Sequence, residues 1–207
     1  NDTFTTESEQ LVQPSDRRNE PPVNIPRTRP GREHVDTAGT RTPSMRLGIV
    51  SDTHDNADVV AEAVDVFERA DVDAVVHCGD FVAPFSAAAF DIGIEFHAVR
   101  GNNDGEWALR DVVGEFGTYH GELAELTFAD TEVAVYHGTS AGIVDALVDC
   151  GHYDYVLHGH THEYAHEYHD DTTRINPGGI PIDAAPDAPY AVVLHTERGE
   201  IDRHELV

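Results

Sequence analysis

Five short apolar runs in this chain each end in a cluster of polar residues. The clusters are rich in Asp, His and Asn, and they read SDTHDN (51–56), CGD (78–80), RGNND (100–104), YHG (136–138) and HGHTH (158–162). Short apolar runs bounded by polar loops predict buried β-strands. Because the carboxyl ends of strands in open α/β sheets lie together, we expect the five loops to converge in space. The pattern therefore predicts one polar site assembled from five separate loops.

Helical spacing separates the strands in the first half of the domain. Helices are predicted at 57–69, with Asn56 as N-cap, and at 84–90, 106–113 and 143–150. The runs 122–128 and 132–136 predict a hairpin, and most later segments are strand-like. A βαβαβ start followed by antiparallel strands predicts an α/β (α+β) fold, with helices over one mixed sheet or over two packed sheets.

Residues 1–44 differ in composition from the rest of the chain. They contain six prolines and almost no apolar periodicity, which predicts a disordered or loosely draped segment before a domain at 45–207. Met45 is the sole methionine and directly precedes the first strand. This favours a non-native N-terminal extension, with a genuine regulatory tail as the alternative.

The charge is strongly acidic, with 39 Asp and Glu against 13 basic residues, all of them arginine, for a net charge of −26. Residues 45–207 hold 32 of the acids and seven of the arginines, a net charge of −25. An acidic surface without lysine is typical of a halophilic protein, since concentrated salt screens its self-repulsion. It also argues against stable nucleic-acid binding, because phosphate backbones are held by basic side chains.

Two further observations concern the cellular location of the protein. No apolar run approaches about eighteen residues, so no membrane span is expected. The two cysteines, Cys78 and Cys150, form no CxxC pair and predict reduced thiols in a cytoplasmic protein.

The spacing within two loops is suited to metal binding. Asp52 and His54 are two positions apart, as are His160 and His162. In extended backbone such pairs point to the same side, which suits two ligands on one cation or one ligand on each of two. Carboxylate, imidazole and amide oxygen together favour Mn, Fe, Co, Ni or Zn over a thiolate zinc site.

Taken in order, the motifs D-x-H (52–54), G-D (79–80), G-N-x-D (101–104), H-G (137–138) and G-H-x-H (159–162) resemble those of the calcineurin-like metallophosphoesterases. The compact length and the later NPGG (176–179) are similar to the small bacterial and archaeal phosphodiesterase branch. The resemblance covers residues 45–207. It implies a two-sheet β-sandwich with flanking helices.

The resemblance also implies a site with two divalent cations, for which Mn is the preferred metal and Ni, Co, Fe or Zn are alternatives. One cation would be held by Asp52, His54 and His162, and the other by Asn102, His137 and His160. Asp80 would bridge them. The implied reaction is hydrolysis of a small phosphodiester substrate by attack of a hydroxide that bridges the metals.

One position departs from the family pattern. Many relatives have histidine in the third place of the G-N-x motif, where it stabilises charge or protonates the leaving group, whereas this chain has Asn103. An amide donates a hydrogen bond but gives up no proton. General acid catalysis commonly raises the rate about 10²–10⁴-fold, and Asn103 cannot supply that contribution. The enzyme would then prefer activated leaving groups such as aryl phosphodiesters, recruit another acid, or be slow.

Other candidates for the reaction lie close by in the sequence. Arg100 is expected either to contact phosphate or to pair with a carboxylate, and Asp104 to fix its loop or cap a helix. His77 and His158 are expected to support the ligands, with His158 as an alternative acid. His166 and His169 are interpreted as solvated surface.

A second function of another class stays open at this stage. The chain could be a catalytically weak metallophosphoesterase-fold protein used as a binding scaffold, as in the phosphoesterase-like subunit of retromer. A nuclease is disfavoured by the acidic surface, and a homo-oligomer is left open.

Overall fold

Strands and helices alternate in the first half of the domain, as the periodicity predicts. The computed structural model describes residues 44–105 and 107–206. The elements in order are β1 (Arg46–Val50), α1 (Ala57–Ala70), β2 (Ala74–His77), α2 (Pro84–Ala88), β3 (Glu95–Ala98), α3 (Ala108–Phe116) and β4 (Thr118–Tyr119).

Strands dominate the second half. The elements are β5 (Leu123–Phe128), β6 (Thr131–Tyr136), α4 (Ala141–Asp149), β7 (Tyr155–Leu157), β8 (Tyr164–His169), β9 (Thr172–Pro177), β10 (Tyr190–His195) and β11 (Glu200–Glu205). The described residues belong to one compact unit. Apart from Ser44, the segment predicted to be disordered lies outside the described residues.

These strands form two sheets. The six-stranded sheet has the order β11-β10-β1-β2-β3-β4. Strands β1 to β4 are parallel, β10 pairs antiparallel with β1, and β11 pairs antiparallel with β10. The five-stranded sheet has the order β5-β6-β7-β9-β8. The expectation that antiparallel strands close the domain is partly wrong, because β6, β7 and β9 are mutually parallel. Helix α4 connects β6 to β7, and a helical crossover joins parallel strands.

The sheets and helices bury three apolar clusters in four layers. Between the two sheets, side chains such as Ile49 and Val192 meet Val135 and Leu157. Helices α1, α2 and α3 cover the outer face of the six-stranded sheet through a cluster that includes Phe67, and α4 covers the five-stranded sheet. The two-sheet sandwich with flanking helices is confirmed, and the single mixed sheet is excluded.

Local sequence explains how α1 is positioned. The Asn56 side chain accepts hydrogen bonds from the Asp58 and Val59 amides at 3.2 Å, which confirms the predicted N-cap. Gly48 in β1 lets the Phe67 ring lie directly on the strand, since a Cβ there would come within 2.6 Å of that ring. Among the described residues, no helix is long and apolar enough to cross a membrane.

Some element boundaries differ from the predictions. Helix α3 begins at Ala108 and reaches Phe116, later than the predicted 106–113. The two-residue strand β4 was not predicted, because Thr118 and Tyr119 carry too short a pattern to show alternation.

Candidate metal centre

The five polar loops do come together at the carboxyl ends of their strands. Loops 51–56, 78–80 and 100–104 follow the parallel strands β1, β2 and β3, while 137–138 and 158–162 follow β6 and β7 of the other sheet. The backbone links them across the sheets: the His160 amide donates to the Asp52 carboxylate at 2.9 Å. Convergence at strand ends, inferred from sequence, therefore describes the observed arrangement.

One cluster brings Asp52 together with His54 and His162. Potential ligand atoms of these three residues lie within 4.8 Å of one another. The Asp52 Oδ1 atom is 3.5 Å from His162 Nε2 and 3.9 Å from His54 Nε2. Asp52 Oδ1 and His54 Nε2 are buried without a hydrogen-bond partner. Buried polar atoms are normally satisfied, so these two atoms fit a cation between them.

A second cluster adjoins the first through Asp80. Its Oδ2 atom lies 3.5 Å from His54 Nε2 and 3.4 Å from His137 Nε2. Asn102 Oδ1 is 3.1 Å from the same His137 nitrogen, and the His160 ring packs edge-on against His137 with centroids 5.3 Å apart. Asp80 thus stands between the two clusters, within reach of both.

Backbone carbonyls orient two of the histidine rings. The Nδ1–H groups of His137 and His162 are placed to donate to Cys78 O at 2.8 Å and Ile180 O at 2.7 Å. A ring held in this way presents the lone pair of Nε2 to the site, which is how metal-binding histidines are commonly fixed.

The charges in the site shift the pKa values of its members. The nearby Asp52 carboxylate raises the pKa of His54 above 6.5 despite partial burial. Burial lowers the pKa of His137, but Asp80, Asp52 and the Cys78 carbonyl together outweigh burial and the net shift is upward. Burial likewise raises the pKa of Asp80, yet His137 and Asn103 hold it below its usual range. A cation entering the site must displace protons from these imidazoles, so metal binding weakens as the pH falls.

The comparisons with known proteins agree with this geometry. Residues 45–199 match the model of the calcineurin-like phosphoesterase superfamily domain. This chain belongs to the calcineurin-like phosphoesterases. A phosphodiesterase of Methanocaldococcus jannaschii is 36% identical over 141 residues, which cover 65% of this chain and 83% of that protein.

Solved structures support the same family assignment. A structure described as a novel archaeal phosphodiesterase is 32% identical, with a TM-score of 0.73, and covers 78% of this chain and 100% of its own. Vps29 of Entamoeba histolytica has a TM-score of 0.59 at 14% identity, with 79% of this chain and 100% of that chain covered, a likeness of fold alone.

The backbone of this phosphoesterase site departs from the extended conformation assumed in the spacing argument. Positive φ angles occur at five of the seven candidate ligands: Asp52, His54, Asp80, His160 and His162. The side chains therefore converge through tight left-handed loops, and the i, i+2 alternation of a strand does not apply. Strain of this kind is characteristic of functional sites.

Two glycines allow the loops to close on the ligands. A Cβ at Gly101 would collide with the Asp80 carboxylate and backbone nitrogen, and one at Gly159 would collide with Ser51 Oγ and the Asp52 carboxylate. The sequence marked both glycines as motif positions, but the reason for them is a packing contact that only the structure reveals.

Gly101→Ala is expected to lower metal affinity at least tenfold and to destabilise the fold by about 1–3 kcal/mol, because the added methyl displaces Asp80. Calorimetric metal titration and urea unfolding test this. Gly105→Ala is the matched control, since a Cβ at Gly105 meets nothing within 4 Å. Equal behaviour of the two variants would contradict the steric explanation.

Asn103 and Arg100 are both engaged with the protein. Asn103 donates from its backbone to Asp80 Oδ1 at 2.8 Å and from its side chain to Asp80 Oδ2 at 2.7 Å. Arg100 pairs with Glu122 at 3.0 Å and donates to the Asp104 carbonyl at 3.2 Å. The sequence left open whether Arg100 contacts phosphate or pairs with a carboxylate, and in the structure it pairs with the Glu122 carboxylate.

Asp104 ties two ligand loops together. Its carboxylate accepts hydrogen bonds from the amides of Asp80 at 2.9 Å, Gly101 at 2.8 Å and Val82 at 2.8 Å. The side chain is buried and its contacts are with loop backbone, so it fixes the loops and does not cap α3.

His77 and His158 are buried on either side of the site. His77 stacks on Phe81 at 3.5 Å between centroids and accepts the Gly79 amide at Nδ1. His158 Nε2 accepts from Arg174 Nε at 2.8 Å, so that nitrogen has no proton to give a leaving group. His169 is exposed as predicted, whereas His166 is partly buried, with Nε2 unpartnered.

The burial of His158 predicts a pH-dependent stability. Burial, reinforced by Arg174, lowers the pKa of His158 to about 4, against 6.5 when exposed. Between these values the unfolded chain binds a proton that the folded chain does not. Stability is therefore lost as the pH falls from about 6.5 to 4, by on the order of 3 kcal/mol.

Urea unfolding of the metal-free protein at pH 7 and pH 4.5 measures this loss. His158→Gln cannot titrate and keeps an acceptor for Arg174, so its loss should be smaller than that of the wild type by about one proton's contribution. An identical pH slope in both proteins would show that His158 does not control it.

Several supporting residues were missed by sequence reasoning. Asn176 is buried and donates its amide to Gly159 O at 3.0 Å and Thr161 Oγ1 at 2.9 Å, holding the HGHTH loop. Ser51 donates to Asp52 at 2.5 Å, and Asp55 accepts from the loop that follows Asp80. The NPGG motif was the one signal that pointed to Asn176.

Proposed function

We propose that this chain is a metal-dependent phosphodiesterase that uses water as its nucleophile. The proposal rests mainly on Asp80, whose carboxylate lies within 3.5 Å of an imidazole from each of two ligand clusters. The named activity of the archaeal relatives supports the choice of phosphodiesters among phosphoric esters.

Two divalent cations are proposed, manganese being preferred. Asp52, His54 and His162 would hold one, Asn102, His137 and His160 the other, and Asp80 would bridge them. When bound, the cations would lower the pKa of a water so that hydroxide is available near neutral pH as the nucleophile, and they would neutralise charge on the phosphate oxygens.

The residues of the chain supply positioning. Asn103 keeps both oxygens of Asp80 oriented, and its amide has no proton to transfer to a leaving group. His158, Arg100 and Asp104 are each engaged in contacts with the protein. We therefore expect leaving groups of low pKa, such as aryl oxygens, to be released fastest.

Hydrolysis of bis-p-nitrophenyl phosphate by the metal-free protein, with Mn²⁺, Ni²⁺, Co²⁺, Fe²⁺ or Zn²⁺ added back, tests the proposal. We expect turnover only with added metal and greatest with Mn²⁺. Metal binding without turnover under all five conditions would favour the binding scaffold, the alternative to which the missing histidine at position 103 points.

A halophilic character is proposed from the charge of −25 on residues 45–207. The melting temperature should rise as KCl increases from about 0.1 to 1 M, because the Debye length shrinks from about 10 to 3 Å and screens the self-repulsion. Melting in a sucrose series of matched osmolality is the control. A melting temperature that is flat or falls with KCl would contradict the proposal.

Cytoplasmic location and the absence of stable nucleic-acid binding also remain predictions.

A further inference from the structure

Most of the large exposed apolar side chains lie on segments that leave the loops of the candidate metal centre. In the described part of the chain, the most exposed ones are Phe85, Trp107, Leu123, Ile143, Tyr168 and Ile182. Four of these six lie on segments that leave the site, two to six positions after one of its residues. We call these four the apolar rim: Phe85, Trp107, Ile143 and Ile182. Tyr168 also follows His162 by six positions, but it pairs with Thr173 near the start of β9, at the opposite end of the sheet from the ligand loops.

Phe85 is held on the His54 side of the site. It lies in the first turn of α2, directly after the loop that carries Asp80. The residues on either side of that turn, Ala83 and Ser86, both donate to Asp55 Oδ1, at 2.9 and 2.6 Å. Asp55 is the neighbour of His54, so the start of α2 is fixed against the ligand loop, and Phe85 remains 64% exposed.

Trp107 comes from the adjoining loop. It lies three residues after Asp104, whose carboxylate holds the Asp80 and Gly101 amides, and it directly precedes α3. Helices α2 and α3 pack against each other, so Phe85 and Trp107 lie at the starts of neighbouring helices. Trp107 is 81% exposed, the largest value among these side chains.

The other two members of the rim leave the site from its remaining loops. Ile143 is in the first turn of α4, which follows His137. Ile182 comes two residues after Ile180, whose backbone accepts from His162 and donates to Asp52. The rim residues thus lie on segments that follow strands of both sheets and leave the metal centre.

The described domain is strongly acidic, so the exposure of apolar side chains on the segments around this site requires an explanation. A small phosphodiester has one negative charge, which belongs at the cations, and two organic groups that must lie beside them. An indole face left open to solvent is a stacking platform for a planar ring. The charge of −25 disfavours a polyanionic strand as the occupant.

We infer that the apolar rim, with Trp107 as its principal contact, binds a planar aromatic group of the phosphodiester substrate, either a nucleobase or an aryl ring. This inference rests on the proposed function, since it names the substrate class of the same site. It makes Trp107 a specificity-determining residue.

Three esters with one leaving group test the inference. Methyl, phenyl and thymidine 5′-(p-nitrophenyl) phosphates all release p-nitrophenolate, so they differ in the group that is retained. We expect kcat/KM for the phenyl or thymidine ester to exceed that for the methyl ester about tenfold, mainly through KM. A preference for thymidine alone identifies a nucleobase, and a preference shared with phenyl identifies aromatic rings in general.

Trp107→Ala is expected to lower this preference about tenfold, and Phe85→Ala to lower it less. Tyr168→Ala is the matched control, because Tyr168 is 72% exposed on β8 and belongs to no ligand loop. An equal rate for all three esters, or a preference that survives Trp107→Ala, would overturn the inference.

A binding measurement separates this inference from the proposed function. Trp107 is the sole tryptophan of the chain, so its fluorescence reports on stacking without turnover. Saturable quenching by thymidine 5′-phosphate in the presence of Mg²⁺ is expected even if no ester is hydrolysed. If thymidine 5′-phosphate does not quench the fluorescence, the apolar rim is not a binding site for an aromatic group. If Trp107→Ala dissociates a homodimer in sedimentation experiments, the rim is instead a contact between two copies of the chain.

Discussion

Asp80→Ala is expected to abolish phosphodiester hydrolysis and to remove metal binding from both clusters at once. Asp80 Oδ2 lies 3.5 Å from His54 Nε2 and 3.4 Å from His137 Nε2, so its loss affects a ligand set on each side. Removing a residue that merely supports a metal ligand costs about 10–100-fold, so loss of a shared ligand should cost more than about 100-fold.

Two measurements test this prediction. One is turnover, and the other is the metal content per chain of the purified variant, determined by mass spectrometry after dialysis against Mn²⁺. His166→Ala is the control, because His166 lies on β8 outside the ligand loops, and its turnover should be nearly unchanged. An Asp80→Ala protein that retains two metals per chain would show that the ligand assignment is wrong. Circular dichroism establishes that the variant is folded.

Asp104→Ala is expected to destabilise the protein by about 3–5 kcal/mol. Three backbone amides, those of Asp80, Val82 and Gly101, donate to this carboxylate at 2.8–2.9 Å in a buried environment. Alanine leaves all three without an acceptor, and hydrogen bonds to a charged group are worth about 1.5–3 kcal/mol each, in part recovered by relaxation.

Urea unfolding of the metal-free protein measures this effect without contributions from the cations. Asp104→Asn keeps one carbonyl oxygen and loses the second acceptor, so an intermediate loss is expected. Glu115→Ala, an exposed change in α3, should alter stability by less than about 0.5 kcal/mol. If Asp104→Ala unfolds like Glu115→Ala, the carboxylate does not hold the loops.

The general placement of the site could be predicted from the sequence because it depends on strand order alone. Each ligand loop follows an apolar run, and parallel strands bring such loops to one edge whatever the details of packing. The pairing of β6, β7 and β9 was harder to foresee, since short apolar runs predict strands without specifying their direction.

The loop conformations could not be predicted. Asp52 and Asp80 have φ angles of 52° and 61°, which residues other than glycine seldom adopt, and they are imposed by the surrounding fold. The spacing argument assumed extended backbone at Asp52, His54, His160 and His162, and that assumption is wrong. Asp104 was expected to fix a loop or cap a helix, and only the three amides on its carboxylate distinguish these roles.

Exposure is likewise a property that sequence patterns did not supply. Trp107 precedes a helix and would be expected to pack into it, yet it is the most exposed of the large apolar side chains in the described ranges. Its position became informative only when the loops around it had been located.

The candidate ligands lie on loops of both sheets, so the site forms only when the two sheets have packed together. Asp52 and His160 meet across 108 positions of the sequence, so the cluster is complete only after the two sheets have docked. A cation held there would close a very long loop late in folding, much as a cross-link does. In a chain whose cysteines are both free, the metals would take the place of a disulfide, slowing the separation of the two halves once they have joined.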